Sequence, residues 1–355
     1  MKNDLTCGVV RDLLPSYVEG LTSPESNTAV ERHLSDCADC AQLRTALAGA
    51  PKQAAPEDAK EVDYLKKVKR RGWRRVAAAV AVTVLLFTAG VAAKLFVIGT
   101  PIQTQGMSWV ISTDVPGQLD IRVYSIWSGT ACRQWETEQE PEGIVRITCR
   151  QVLPSPLSNS GDYRAVLNTE GVNAVYLGDQ LIWQGGIEIS PQIDRVYQAK
   201  TPYVGNAPAV GRVVSVARFN LWGDYTMELQ TSAQPYRLTL RYSSSFTPEG
   251  MESGTKDIFQ DMAATLVAIG NLDEIECAFQ GDNDQSWSYV LTVEELNQAL
   301  PQIVSAYNER FLNQKDCPLY ASVKDYGDSC ADLNQLYEAM WWAIELGAYA
   351  PQVQS

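Results

Sequence analysis

The residues whose types and spacing could do chemistry lie near the N-terminus of this 355-residue chain. They are Cys7, His33, Cys37 and Cys40, and the last three form the pattern His-x3-Cys-x2-Cys. Positions four apart share a helix face, so His33 and Cys37 can converge on one point. A Cys3His set is a common way to hold tetrahedral Zn2+. Because protein atoms would fill all four positions, we expect a structural zinc ion rather than a catalytic one.

His33 is the only histidine in the chain. A Ser-His-Asp or Cys-His nucleophile, a histidine general base or a multi-histidine metal site is therefore excluded from residues 34–355. Chemistry based on carboxylates, lysine or tyrosine stays open. The net charge of −13 also makes direct binding to nucleic acid a poor expectation, because phosphate contacts need clustered Lys and Arg.

Short helices are predicted around the four ligands. Apolar residues recur at helical spacing over 13–21, where Pro15 predicts a short helix or a break. The sequence Thr-Ser-Pro-Glu at 22–25 is typical of a helix start, and this second helix should reach His33. A third is expected over 36–48, and the stretch 49–57 has the composition of a linker.

An apolar segment follows the linker. Residues 76–93 contain no charged side chain, and after Lys94 the apolar run resumes to residue 98. About 20 apolar residues are needed to cross a bilayer, so 76–98 are predicted to form a transmembrane helix. The alternative is a buried helix of a soluble protein. A basic amphipathic helix is expected before it, over 58–72.

Charge on the two sides of this segment differs. Residues 1–75 hold 13 Lys+Arg and 11 Asp+Glu, whereas residues 95–355 hold 15 and 31. Seven Lys and Arg residues crowd 66–75, and the next basic residue after Lys94 is Arg122. Because basic residues favour the cytoplasmic side, the N-terminus is predicted to be cytoplasmic and 99–355 extracellular, in a single-pass protein of the cell membrane.

The stretch LLPSYVEGLTSPES…VERHLSDCADCAQL resembles the zinc-binding anti-sigma domain of membrane-anchored bacterial anti-sigma factors. It is also similar to a broader class of zinc-finger domains. The resemblance covers about residues 1–48: His33, Cys37 and Cys40 match the family's HxxxCxxC core, and Cys7 matches an upstream Cys or His. It implies an extracytoplasmic-function sigma factor as partner, an outer domain that senses a signal, and release through membrane proteases.

By the same resemblance, apolar faces of the module would contact the sigma factor. The alternative use of these side chains is the core of the module itself. The residues concerned are Leu13, Leu14, Tyr17, Leu43 and Leu47.

The region after the apolar segment is predicted to form β structure first and then a mixture of helices and strands. Alternating and β-branched runs separated by turn residues predict a β-sandwich-like domain over 99–205. Residues 206–355 predict an α+β domain, which faintly resembles an uncharacterised extracellular domain between about 210 and 300. Its expected strands are 211–219, 225–231, 235–243, 273–280 and 286–291, and its expected helices are 255–270, 293–311 with a break or kink at Pro301, and 332–348.

Five cysteines lie in this region, and an oxidising compartment would allow disulfides. Pairing of Cys132 with Cys149 and of Cys317 with Cys330 is our hypothesis, which leaves Cys277 as a small buried residue. Two acidic groups could serve calcium, although solvated turns are commoner. They are the glutamates of a presumed hairpin loop at 136–142 and the Asp-Asn-Asp turn at 282–284.

The sequence thus predicts a multidomain chain: a small all-α zinc-binding module (1–48), a linker and basic juxtamembrane helix (49–75), a transmembrane helix (76–98), and the two extracellular domains (99–205 and 206–355). The favoured function is that of a membrane-bound anti-sigma factor and not of an enzyme. Two alternatives remain: a cell-envelope sensor whose module binds another cytosolic partner, and an ectoenzyme that uses carboxylates.

Overall fold

The computed structural model describes residues 5–49, 58–245, 254–280, 286–311 and 316–354, with backbone only at 58–66 and at the end of the strand that reaches residue 245. Its internal contacts divide the chain into two compact units, Met1–Phe87 and Thr88–Ser355. Each unit is described by itself.

The first unit opens with a helical module, α1 (Cys7–Val18), α2 (Pro24–Asp36) and α3 (Ala38–Ala48). The Ser23 hydroxyl caps α2 by accepting a hydrogen bond from the backbone N–H of Ser26, as the sequence predicts for a helix start. Helix α1 continues through Pro15 and ends at Val18, so of the two alternatives expected there the break is wrong and the helix is a short one. Val10 and Leu14 are fully buried on the same face of α1, and this packing outweighs the hydrogen bond lost at proline.

A single long helix, α4 (Asp58–Ala93), follows and passes into a wider π-helical turn, Lys94–Ile98. The expected basic helix and apolar segment are therefore continuous. By length and composition, Lys67–Ile98 could cross a membrane: it has 32 residues and contains an 18-residue stretch with a mean hydropathy of 2.3. The turn ends at Gly99, whose φ of 67° and tight surroundings suit only glycine, because a Cβ there would lie 2.4 Å from the carbonyl oxygen of Gln151.

Two sheets pack face to face in the first part of the second unit. One has the order β1-β5-β7-β8-β9, with β4 on the other edge of β5, and the other has the order β2-β3-β6. Buried side chains of both sheets form one core, as a sandwich requires. The strands are β1 (Thr100–Pro101), β2 (Met107–Ser112), β3 (Gln118–Ser125), β4 (Ala131–Glu140), β5 (Ile144–Val152), β6 (Tyr163–Asn168), β7 (Ala174–Leu177), β8 (Gln180–Gln184) and β9 (Ile187–Glu188).

The remainder of the second unit combines a sheet of order β10-β11-β12-β13-β14 with helices. Neighbouring strands are antiparallel except for β11 and β12, which are parallel and joined by α7. The elements are α5 (Pro191–Gln198), α6 (Ala207–Val216), β10 (Tyr225–Gln230), β11 (Arg237–Ser245), α7 (Thr255–Ala268), β12 (Glu274–Gln280), β13 (Ser286–Thr292), α8 (Val293–Arg310), α9 (Cys330–Glu345) and β14 (Val353–Gln354).

Helix α7 lies at the centre of this second core, with every residue from Ile258 to Ala268 buried. The ammonium group of Lys324 donates to the carbonyl of Leu266 in the last turn of α7 and to the carbonyls of Ile269 and Leu272 just after the helix. A cation at a helix C-terminus is favourable, and this one satisfies carbonyls that no helical N–H reaches.

Two expectations for the mixed region are wrong. Most of the predicted strand 211–219 belongs to helix α6, whose Asn206 side chain caps the first turn beside Pro208. Its buried residues Ala209, Val210, Val213 and Val214 recur at helical spacing. Helix α8 also runs through Pro301, so a break there is wrong, whereas the alternative of a kink stays a prediction. The other predicted strands and helices of this region are present, with ends shifted by a few residues.

The strands β7 and β8 contribute to both cores of the second unit. Val175 and Ile182 lie in the core between the two sheets, whereas Ala174 and Leu181 lie in the core around α7. Helix α5 also packs into the α7 core. The division into domains 99–205 and 206–355 stays a prediction, but side chains from before residue 205 are part of the second core.

Candidate metal centre

The four predicted ligands come from three helices of the N-terminal module. Cys7 is the first residue of α1, and His33 lies in the last turn of α2. Cys37 caps the start of α3, and Cys40 lies in its first turn. The backbone N–H of Cys37 donates to the carbonyl of His33 over 3.0 Å, which ties the end of α2 to the start of α3. The local spacing therefore positions three ligands, and the packing of α1 brings the fourth.

The ligand atoms form a cluster of the right size for zinc. They all lie within 4.8 Å of one another. The Cys7 Sγ lies 3.5 Å from the His33 Nε2 and 3.8 Å from the Cys37 Sγ. In a tetrahedron with ordinary Zn–S and Zn–N bonds, sulfur–sulfur edges measure ~3.8 Å and sulfur–nitrogen edges ~3.6 Å. The donor set and its geometry therefore fit a four-coordinate zinc ion held by protein alone.

Electrostatics within the cluster favours a metal-binding form. Hydrogen bonds from the backbone N–H and thiol of Cys40 lower the pKa of Cys37 to about 7. Burial and the neighbouring Cys37 raise the pKa of Cys40. Metal binds the thiolate form of cysteine, and Cys37 is substantially in that form near neutral pH. A bound cation would stabilise the thiolates of Cys7 and Cys40 as well.

Within the described residues, this is the one group of at least three His, Cys, Asp or Glu side chains whose ligand atoms converge. The glutamates expected in a hairpin loop instead lie largely on a strand: Glu136, Glu138 and Glu140 belong to β4. Glu140 is engaged by Arg146, whose Nε lies 2.6 Å from its Oε1. The second candidate for calcium, at 282–284, lies outside the described residues.

The predicted partner-binding residues divide into two groups. Leu14 is fully buried in the core of the module with Val10, Val30 and Cys40. The other four are partly exposed and pack against that core, so each could also offer surface to a partner: they are Leu13, Tyr17, Leu43 and Leu47. Their contact with a sigma factor stays a prediction.

Other apolar side chains on the surface of the module are not among the predicted partner-binding residues. Leu21 is 74% exposed in the turn after α1, and Val9 and Val18 are exposed on α1 itself. Val9 falls off the stripe that α1 buries through Val10 and Leu14, and that offset from the helical period is the signal that could have found it. Val18 and Leu21 are in phase with the stripe but lie at and beyond the end of α1.

The cysteines of the second unit are all buried, and the structure has them as free thiols. The Cys132 and Cys149 thiols interact across the neighbouring strands β4 and β5, which raises the pKa of Cys149 and lowers that of Cys132. Burial raises the pKa of Cys317 to about 12 and that of Cys330 to about 12. The two disulfide pairings stay predictions.

Comparison with known proteins places the metal centre in a family. Residues 7–41 match the profile described as "Putative zinc-finger", and residues 196–292 match a domain of unknown function, DUF4825. The second match overlaps the region between about 210 and 300 that resembles an uncharacterised extracellular domain.

Among curated proteins, the chain is similar to the anti-sigma-YlaC factor YlaD of Bacillus subtilis (strain 168). The two are 37% identical over 67 residues, which make up 19% of this chain and 68% of that protein. No solved structure matches the chain significantly. On this similarity, together with the zinc-finger match over the four converging ligands, the chain belongs to the anti-sigma factors that carry an N-terminal zinc-finger domain.

Proposed function

We propose that the protein is a membrane-bound anti-sigma factor that sequesters an extracytoplasmic-function sigma factor through its zinc module. The module would hold the sigma factor on the cytoplasmic side, and the second unit would respond to a signal outside the cell. Zinc would be structural, bound by Cys7, His33, Cys37 and Cys40. The role is regulatory, as in the family, and requires no catalytic site.

The observation that carries this proposal is the convergent Cys3His cluster in a chain of the anti-sigma family. The module has a small core of its own, with Val10, Leu14, Val30 and Cys40 fully buried. A metal that fixes three helix ends can therefore hold partly exposed side chains such as Tyr17 and Leu43 in one arrangement for a partner.

The membrane placement is supported by α4 and by charge. The apolar part of α4 is long enough to span, and its N-terminal flank carries the basic residues of 66–75. The positive-inside tendency then favours a cytoplasmic module. The strongly acidic composition of residues 95–355 agrees with a different compartment for the second unit.

The proposal is tested by purifying the full chain with a C-terminal tag from membranes of its native host. We expect a sigma factor to co-purify with the wild type and with Cys277→Ala, a buried thiol outside the module. It should be absent from Cys37→Ala, which removes a predicted ligand. A zinc-dependent partner of another class would instead support the alternative of an envelope sensor with a different cytosolic partner.

The same tag tests the orientation. If the second unit is extracellular, an antibody should reach the tag on intact cells from which the outer layers have been removed. Labelling that requires permeabilised membranes would contradict the proposed topology.

A further inference from the structure

Exposed leucines lie beside the point where α4 enters the second unit. The backbone N–H of Leu153 donates to the carbonyl of Leu95, in the π-helical turn, over 2.9 Å. Ser155 and Ser158 then exchange two backbone hydrogen bonds, of 2.8 and 3.0 Å, and close a small turn. Leu153 is 41% exposed and Leu157, within the turn, is 70% exposed. This turn, residues 153–158, is therefore attached to the helix end and presents apolar side chains that the protein does not cover.

A second apolar loop lies at the same edge. Residues 126–130 lead into β4, whose first residue Ala131 pairs with Val152, immediately before Leu153. Ile126 is 60% exposed and Trp127 is 52% exposed. Both loops thus converge on the end of the β4–β5 pair that receives α4. We call the residues 126–130 and 153–158 the helix-end loops.

Basic side chains surround this edge. Arg133 and Arg150 lie directly opposite each other on β4 and β5. Arg133 also reaches the carbonyl of Phe96 in the π-helical turn, with its Nη1 at 3.4 Å, and the ammonium of Lys94 donates to the carbonyl of Gly99 over 2.8 Å. Like charges directly opposite on paired strands are unfavourable unless an anion lies nearby.

The positive charge at this edge contrasts with the acidic composition of the region as a whole. Residues 95–355 hold 31 acidic and only 15 basic residues, so a local excess of positive charge at one edge runs against the composition. Cations beside exposed Leu, Ile and Trp, at the end of an apolar helix, match the two layers of a membrane surface. Phosphates of the headgroups would meet the cations, and the interfacial zone favours tryptophan.

From this placement we propose that the helix-end loops dip into the lipid leaflet around the anchor, while Arg133, Arg150 and Lys94 contact lipid phosphates. The second unit would then rest on the bilayer in a fixed orientation rather than hang from a free tether. This inference rests on the proposed membrane span of α4. The occupant is lipid and not a second protein, because the loops continue the surface of the membrane helix itself.

The helix-end loops can enter the membrane interface because backbone polar groups in both loops are hydrogen-bonded within the protein. Ser155 and Ser158 satisfy each other, and the backbone N–H of Thr130 donates to the carbonyl of Trp127. The Ser158 hydroxyl donates to the carbonyl of Cys132 over 2.9 Å and ties the 153–158 turn to β4. Short irregular loops are tolerated at the headgroup level but not in the hydrocarbon centre, so the insertion is shallow.

The test uses the full chain in nanodiscs that contain phosphatidylcholine and phosphatidylglycerol with brominated acyl chains, which quench nearby tryptophan. Wild type is compared with Trp127→Phe and with Trp183→Phe, a tryptophan buried in the core between the sheets. We expect Trp127→Phe to lose part of the quenchable emission, and bromines near the headgroup to quench that part more than bromines near the chain end. Trp183→Phe should keep all of the quenchable emission.

A second pair of variants separates contact from misfolding. Leu157→Ser should reduce the quenching of Trp127, whereas Leu221→Ser, which alters a leucine that is 65% exposed elsewhere in the second unit, should leave it unchanged. Equal quenching in Trp127→Phe and wild type would overturn the proposal, as would protection of the loops by a second protein copy in place of lipid.

Alkaline washing of vesicles that hold the full chain distinguishes failure of the membrane span from failure of the loop docking. If the protein is extracted, the membrane span itself is wrong. If it stays in the vesicles and Trp127 is not quenched, only the docking of the helix-end loops fails.

Discussion

The N-terminal module and the second unit differ in what stabilises them. Within residues 5–49, the module has four fully buried apolar residues. The second unit has two extensive cores, one around α7 and one between two sheets. A chain as short as the module buries little surface and folds with difficulty on apolar packing alone. We therefore expect metal ligation to stabilise the module, whereas apolar burial stabilises the second unit.

Metal removal should have the largest effect on stability, and it should unfold the module while leaving the second unit folded. A strong chelator applied to the full chain, or the substitution Cys37→Ala, should unfold the module. Structural zinc contributes ~10–16 kcal/mol in zinc-finger peptides, as much as the whole stability of many domains. Hydrogen exchange read by mass spectrometry should show amide protection lost over α1, α2 and α3, and kept over β5 and α9.

Cys277→Ala is the matched control, because Cys277 is fully buried in the second core. It should leave the zinc content and the protection of the module unchanged. Protection of α1–α3 that survives chelation would show that the small core suffices without metal.

A smaller effect is expected inside the second unit from a buried carboxyl group. Burial raises the pKa of Asp261 to about 7, against the opposing influence of Arg218. The Tyr337 hydroxyl donates to its Oδ1 over 3.0 Å, and the guanidinium of Arg218 lies 3.7 Å from the same oxygen. The other oxygen, Oδ2, has no hydrogen-bond partner among the described residues. The fold therefore favours the protonated form.

The buried carboxyl group of Asp261 makes the free energy of unfolding depend on pH. The unfolded chain loses this proton near pH 3.8 and the folded chain only near pH 7, so between these values the unfolded state binds fewer protons. The free energy of unfolding should fall as the pH rises through this window, by roughly 4 kcal/mol in all, and level off above it. Asp261→Asn should abolish this part of the slope in urea titrations at pH 5 and 7.5.

The fully exposed Asp179 provides the comparison for that measurement, because Asp179→Asn should retain the wild-type slope. Identical pH profiles for wild type and Asp261→Asn would mean that Asp261 is ionised in the folded protein at pH 5.

The smallest expected effect concerns the joint at Gly99. Gly99→Ala and Gly171→Ala both place a side chain at positive φ, which costs roughly 1–2 kcal/mol. The Gly171 site is open, whereas a Cβ at Gly99 would approach the Gln151 carbonyl oxygen. Only Gly99→Ala should therefore speed hydrogen exchange at the β1–β5 pair. Equal exchange rates at that pair in the two variants would show that the contact relaxes without opening the strands.

Local signals in the sequence predicted much of the fold. The spacing of His33, Cys37 and Cys40 follows from helix geometry within a few residues, and strands such as β3 carry their own alternation of apolar and polar residues. The helix α6 was missed because its valines favour strands, although Asn206 and Pro208 mark a helix start. At Pro15 and Pro301 a break was one of two alternatives predicted, and tertiary packing overrides it at both positions.

Long-range pairings could not be obtained in this way. The arrival of Cys7 beside His33 depends on how α1 packs against α2 and α3, and it was inferred through residue type and resemblance. The pairing of Thr100 and Pro101 with Arg150 and Gln151 leaves no trace in local sequence. The backbone after α4 is engaged in a sheet at these two residues, although both are exposed.

The sharing of β7 and β8 between the two cores has a consequence for signalling. Strands that face both cores cannot separate from one without disturbing the other, so the second unit should open as one cooperative body. A molecule that bound to either half would then raise the free energy needed to open both. An event far from the β1–β5 joint could thereby alter how often that joint opens, through thermodynamic linkage and with no moving hinge.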